Sequence, residues 1–166
     1  MKWQLSALIL LVVSVLIVSS CINDQDIEYK RAYTAGALVY QNHCQNCHGN
    51  TGEGLSALMP PLTDSVYLKQ NKAQLACILK YGLNGKLIIV HGKPYQNQMP
   101  PADLAPIEIA QVLTYVKNSF GNKTGFVKVE DVNRDLLICQ WGGCQFGIFQ
   151  KLKYHQINNH LVNKLI

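Results

Sequence analysis

One short run constrains this chain more than anything else in it: Cys44-Gln45-Asn46-Cys47-His48. Two thiols three positions apart, near the end of a helical stretch, can each form a thioether to one of a haem's two vinyl groups. The imidazole on the next residue then lies under the iron and supplies a proximal ligand. Other uses of the same residues fit less well. A thioredoxin-type redox pair normally follows a strand, whereas this pair follows a helical pattern. A structural zinc site needs four ligands, and no second Cys/His pair stands at short spacing. A plain Cys44–Cys47 disulfide would leave His48 without a role. The run therefore predicts one covalent haem c, and a haem fixed in this way points to electron transfer.

The chain's start has a different logic. Lys2, the apolar stretch from Leu5 to Val18 and small residues up to Cys21 form a secretory signal over 1–20. The residues before Cys21 resemble a bacterial lipobox. That resemblance implies cleavage before Cys21, its lipidation and a membrane anchor in the cell envelope, facing the periplasm or the exterior. A retained membrane helix is the alternative, though about 20 apolar residues are normally needed. Residues 21–31, polar and charged, then read as a tether.

Charge excludes one function class. The chain carries +5 overall, but residues 21–137 hold 11 Lys/Arg against 10 Asp/Glu. Lys151, Lys153 and Lys164 put the excess on a C-terminal segment without acids. No basic face for nucleic acid is implied.

Periodicity places the elements. Gly36, Val39, Tyr40 and Cys44 share a helical spacing over 32–45. Residues 49–62 form a Gly/Pro loop, and 72–81 a helix ended by Gly82 as a left-handed cap. Residues 87–95 suggest a hairpin turning at His91-Gly92. Pro106 opens the strongest helix, with Glu108 in its first turn, a stripe of Ile109, Val112, Leu113, Val116 and Phe120, and Gly121 closing it. A further helix is predicted over 127–138. Leu62, Leu79, Ile89, Val112 and Tyr115 are expected in the haem pocket or core.

Over residues 32–137 these features resemble class I c-type cytochromes, the small single-haem electron carriers. The match rests on the haem motif, on Gly36 and Tyr40 in the first helix, on Val112-x-x-Tyr115 in the later one, and on Gln98-Met99-Pro100-Pro101. The resemblance implies an all-α cytochrome c fold, three to five short helices around one covalent haem. It also implies that Pro60 or Pro61 offers its carbonyl to the proximal imidazole, the choice between them being open.

The second axial ligand must come from elsewhere. Met59 follows His48 too closely and reads as packing on the haem edge. Met99 comes after a helix and a hairpin that can carry the chain round the cofactor, and Pro100-Pro101 stiffen its loop. His91 competes as the stronger-binding imidazole but sits in a turn. The assignment is His48 with Met99.

The expected function is a monohaem electron carrier without a small-molecule substrate, not an enzyme, working between respiratory or periplasmic redox partners. A quinol-oxidising complex and a terminal oxidase are partners by family analogy. Alternatives are a dedicated haem subunit of a larger dehydrogenase or oxidase, or a haem peroxidase, which would need an open iron site. Of the remaining cysteines, Cys77–Cys139 is favoured as a disulfide over Cys139–Cys144, since it ties two elements of the domain. Residues 138–166 depart from the family as a basic C-terminal extension, for which disorder is favoured over a surface-docked helix or a partner-binding segment.

Overall fold

In the computed structural model, residues 2–19 and 24–142 are described. Cys21, Cys144 and the extension beyond Gly142 lie outside them. The elements run α1 (Lys2–Ser19), α2 (Asp24–His43), α3 (Gln45–His48), α4 (Ser65–Gln70), α5 (Lys72–Tyr81), β1 (Ile88–Val90), β2 (Lys93–Tyr95), α6 (Pro106–Val116) and α7 (Val129–Gly142). No helix among the described residues is long and apolar enough to cross a membrane.

The frame is the crossing of α2 over α6. At Gly36 a Cβ would run into the Gln111 carbonyl and would stand 2.9 Å from the Tyr115 Cβ. Only a residue without a side chain lets the two helices approach this closely. Beside the crossing, Tyr115 packs on Tyr33, Tyr40 and Phe120, with ring centroids 5.1, 5.4 and 5.7 Å apart. Tilted and edge-on geometries of this kind add to the burial of large apolar rings. Most of the rest of the core comes from α5 and α6, with Leu75, Leu79, Ile109, Val112 and Val116 buried together, joined by Leu68, Leu104 and Val132.

Three boundaries differ from expectation. The tether does not end at Arg31, because α2 already starts at Asp24. Asp24 and Asp26 suit the positive end of a helix, Lys30 pairs with Asp26 at 2.6 Å, and Tyr29 packs edge-on to Phe126 at 6.5 Å. Polarity alone therefore misread a helix docked by one aromatic. At the far end, α7 runs through Leu137 to Gly142, so a domain boundary at 137 falls inside a helix. Val132, Leu136 and Cys139 recur at helical spacing and face the core, which carries the helix onward. Finally, α6 stops at Val116, not beside Gly121. Asn118 Nδ2 donates to the Thr114 carbonyl at 2.7 Å and Asn122 Nδ2 to the Val116 carbonyl at 2.9 Å. Side chains thus satisfy the helix's last carbonyls without another turn.

The hairpin forms as expected, with Val90 paired to Lys93 across His91 and Gly92. Its alternation turns Ile88 and Val90 inward and leaves Ile89 52% exposed, so Ile89 does not belong to the core. The sequence reading passed over α4. Asp64 caps it, its Oδ1 accepting from the Val66 and Tyr67 amides at 3.0 and 3.1 Å.

Candidate haem site

One helical turn after the end of α2 gathers the motif, with Cys44 as the residue that caps α3. The Cys44 amide still bonds to the Tyr40 carbonyl at 2.9 Å, and the His48 amide to the Cys44 carbonyl at 2.9 Å. Cys44, Cys47 and His48 thus lie on one helical arc and line a single cavity of about 200 Å³. Gly49 then takes φ 79° to turn the chain away, and the buried Tyr40 hydroxyl holds that turn by donating to the Gly49 carbonyl at 2.7 Å.

His48 is 8% exposed, and its Nδ1 stands 3.0 Å from the Pro60 carbonyl. A carbonyl only accepts, so Nδ1 carries the proton and Nε2 keeps a free lone pair. Burial holds the His48 pKa below its ordinary value, against the opposing pull of the Pro60 hydrogen bond. The imidazole is therefore neutral and oriented, as a metal ligand must be. Between the two prolines, it is Pro60 whose carbonyl stands at the ring; Pro61 lines a second, adjoining cavity.

That second cavity, about 100 Å³ and almost wholly apolar, shares His48, Cys44, Pro60, Leu79 and Met99 with the first. Val112, Val116 and Leu62 form its depth. The two methionines separate here. Met59 lines only the larger cavity, whereas Met99 lines both, as His48 does. His91 is on neither wall. It faces Thr63 and Asp64 instead, its Nε2 3.1 Å from Thr63 Oγ1 and its amide donating to Asp64 Oδ2 at 2.8 Å.

Backbone pairing places Met99, and the side chains before it help: Asn97 Nδ2 donates to the Leu58 carbonyl at 2.7 Å and Gln98 Nε2 to Asn84 Oδ1 at 3.2 Å. Its amide and carbonyl exchange two hydrogen bonds with Leu83, both 2.8 Å. Beneath them Gly82 has φ 72° and ψ −175°, an extended mirror-image conformation and not the left-handed helical cap expected. A Cβ at Gly82 would strike the Met99 carbonyl and come within 2.8 Å of the Pro101 nitrogen. Glycine is needed there twice, for its conformation and for the closeness of the Met99 loop.

Do these residues fit a haem? Two thiols, a neutral imidazole and a thioether line one apolar slot between helices. Tyr67 on its wall has a buried hydroxyl with no partner. An orphaned donor facing a cavity is what a polar edge of a bound group would satisfy. The residues fit. Tyr67 was missed in the sequence, although Asp64-Ser65 carries a helix-start signal that would have placed it.

Outside the slot, Cys77 on α5 and Cys139 on α7 are joined by a disulfide, with Cα atoms 6.1 Å apart. It braces the helix whose end seats the Met99 loop.

Thiols and imidazole on one arc make a candidate c-type haem-attachment site, set in a small helical domain. Comparison with known proteins agrees, for the family model for cytochrome c matches residues 33–120. The chain belongs to the cytochrome c family, and its cofactor is haem c, bound covalently. It is 32% identical over 107 residues to the cytochrome c subunit of a quinone alcohol dehydrogenase from Gluconacetobacter polyoxogenes. That match covers 62% of this chain but only 22% of the relative, so the chain spans about a fifth of that protein's length. It is also 34% identical over 92 residues to cytochrome c-552 from Thermus thermophilus, covering 52% of this chain and 69% of the relative.

Proposed function

We propose that this chain is a monohaem cytochrome that carries single electrons between redox partner proteins of the cell envelope and performs no bond chemistry of its own. One observation supports this most. Cys44, Cys47 and His48 share a cavity wall with Met99, and the His48 lone pair is oriented by the Pro60 carbonyl. When bound, the haem supplies one-electron Fe(III)/Fe(II) chemistry. His48 and Met99 would hold its iron, a pairing that would raise the potential relative to two imidazoles. The apolar walls from Leu79, Val112 and Val116 exclude water. Leu58, exposed at the mouth of the larger cavity, gives a partner an apolar landing beside the cofactor. The partners we favour are a quinol-oxidising complex as donor and a terminal oxidase as acceptor, and a lipid on Cys21 holds the carrier at the membrane.

Similarity to the cytochrome c subunits of quinone alcohol dehydrogenases favours a second reading, a dedicated haem subunit of a larger dehydrogenase. Purification under mild detergent separates the two, since a carrier emerges alone and a subunit emerges with its complex.

Co-expression with a cytochrome c maturation system tests the central reading. The expected product keeps its haem through acid–acetone extraction, and Cys44→Ala or Cys47→Ala weakens or abolishes attachment. Wild-type protein with extractable haem, or none, would overturn it. Blocking lipoprotein signal cleavage with globomycin should leave the precursor uncleaved, and Cys21→Ala should leave it without lipid.

A further inference from the structure

The loop from Gly49 to Leu62 has no regular secondary structure, yet it must hold the Pro60 carbonyl against His48. Part of its order is local: the Gly54 amide bonds to the His48 carbonyl at 2.9 Å and the Leu62 amide to the Gly52 carbonyl at 2.7 Å. Another part comes from the opposite end of the domain. Asn122, 1% exposed, donates through Nδ2 to the Leu62 carbonyl at 2.7 Å and to the Val116 carbonyl at 2.9 Å. One amide therefore ties the loop, two residues past Pro60, to the last turn of α6.

The side chain is aimed by an unusual turn. Phe120 and Gly121 both have positive φ, 57° and 83°, and the Asn122 amide closes the turn on the Ser119 carbonyl at 2.8 Å. In the same turn the Phe120 ring lies so near Gly52 that a Cβ there would meet it at 2.6 Å. The turn grips the loop at Gly52 and at Leu62, on either side of Pro60.

Ending a helix does not require this arrangement. Asn118 helps end α6 by bonding to Thr114 and to Gly125, without touching the loop. Asn122 also leaves its Oδ1 buried with no partner, which costs stability. Its position serves the two donors.

We propose that Asn122 is a positioning residue for the haem. It fixes the Pro60 carbonyl against His48 Nδ1 and so sets how strongly the proximal imidazole donates to the iron. A firm hydrogen bond at Nδ1 raises the basicity of Nε2, which favours the oxidised iron and lowers the reduction potential. Loosening the loop reverses this. The inference rests on His48 as proximal ligand.

Full-length holoprotein carrying Asn122→Ala is compared with wild type and with Asn118→Ala. Three quantities are read: thermal stability, reduction potential, and solvent exchange of the His48 ring N–H by NMR in the reduced state. Both variants should lose stability. Asn122→Ala alone should shift the potential upward and speed the ring N–H exchange. If Asn122→Ala does not accumulate with haem, Asn122→Ser, which keeps a shorter donor, should show a smaller shift in the same direction. An Asn122 variant that melts earlier, with potential and exchange matching wild type or Asn118→Ala, overturns the proposal. Failure of the underlying reading looks different, for then the wild type itself holds no covalent haem and has no potential to measure.

Discussion

The two sides of the haem slot are built by different means. His48 ends α3, the short helix that follows α2 directly after Cys44, its ring is tied to Pro60, and the following turn is pinned by Tyr40. Met99 lies on an irregular loop held by two backbone bonds to Leu83 and by the room that Gly82 leaves. A hydrogen bond at the ring itself orients the proposed proximal ligand, whereas the proposed distal one depends on the close approach of two backbones and on its neighbours Asn97 and Gln98. The distal side should therefore be the first to give way under mutation, heat or denaturant.

Replacing the ligands themselves tests this contrast most strongly. Met99→Ala should abolish the near-infrared band of thioether-ligated Fe(III) and lower the potential, while the haem stays covalently attached. Met59→Ala should leave the band in place. If the two results are exchanged, the distal side has been assigned to the wrong methionine.

Next in size is the brace behind the distal loop. Cys139→Ser should cost ~2–4 kcal/mol and leave Cys77 open to alkylation. On heating, the near-infrared band should then fade before the helical circular dichroism does. Loss of both signals together would mean that the disulfide stabilises the domain evenly, and peptide mapping that found Cys139 joined to Cys144 would remove the brace altogether.

Gly82→Ala should cost about 1–3 kcal/mol from the forced backbone conformation, and its effect should fall on the Met99 band. Gly92 has a positive φ but nothing within 4 Å of where a Cβ would stand, so Gly92→Ala should strain the hairpin turn and spare the band.

The smallest effect expected is one of pH. Burial pushes the Asp64 carboxyl up, but amide hydrogen bonds from His91, Tyr67 and Val66, with the nearby His91 ring, more than offset this and hold it below its ordinary value. With the folded pKa depressed, its contribution is complete above about pH 4 and is lost as pH falls through the lower folded value. Chemical denaturation of wild type and Asp64→Asn across that range should differ by about 1 kcal/mol at most, with the difference shrinking in acid. A difference that grew in acid would mean that the carboxylate is not the form the fold favours.

How much of this was legible beforehand follows the same contrast. Cys44, Cys47 and His48 announce themselves because their chemistry needs fixed spacing on one helix. The crossing helices were readable from Gly36, Tyr40 and Tyr115. The hairpin was readable too, though which of Ile88, Ile89 and Val90 faced inward needed the register. Tyr67 and Asn122 were missed for a physical reason. Their roles depend on carbonyls and cavities supplied by segments far along the chain, and no local pattern marks a residue by what will lie opposite it. The early start of α2 was hidden likewise, because Tyr29 finds its partner in Phe126.

The Gly36 crossing also sets a clock. The two helices that meet there come from opposite ends of the domain, so the core cannot close until α6 has been synthesised, and bringing such distant segments together is intrinsically slow. Once it closes, burial and then the neighbouring Cys47 sulfur push the Cys44 thiol up to about 11, leaving little thiolate to react. Haem attachment is thus best performed on the still-open chain. The helix crossing that completes the fold also ends the interval in which the cofactor is readily joined to it, so alkylation of Cys44 in haem-free protein should slow sharply once residues 106–116 are present.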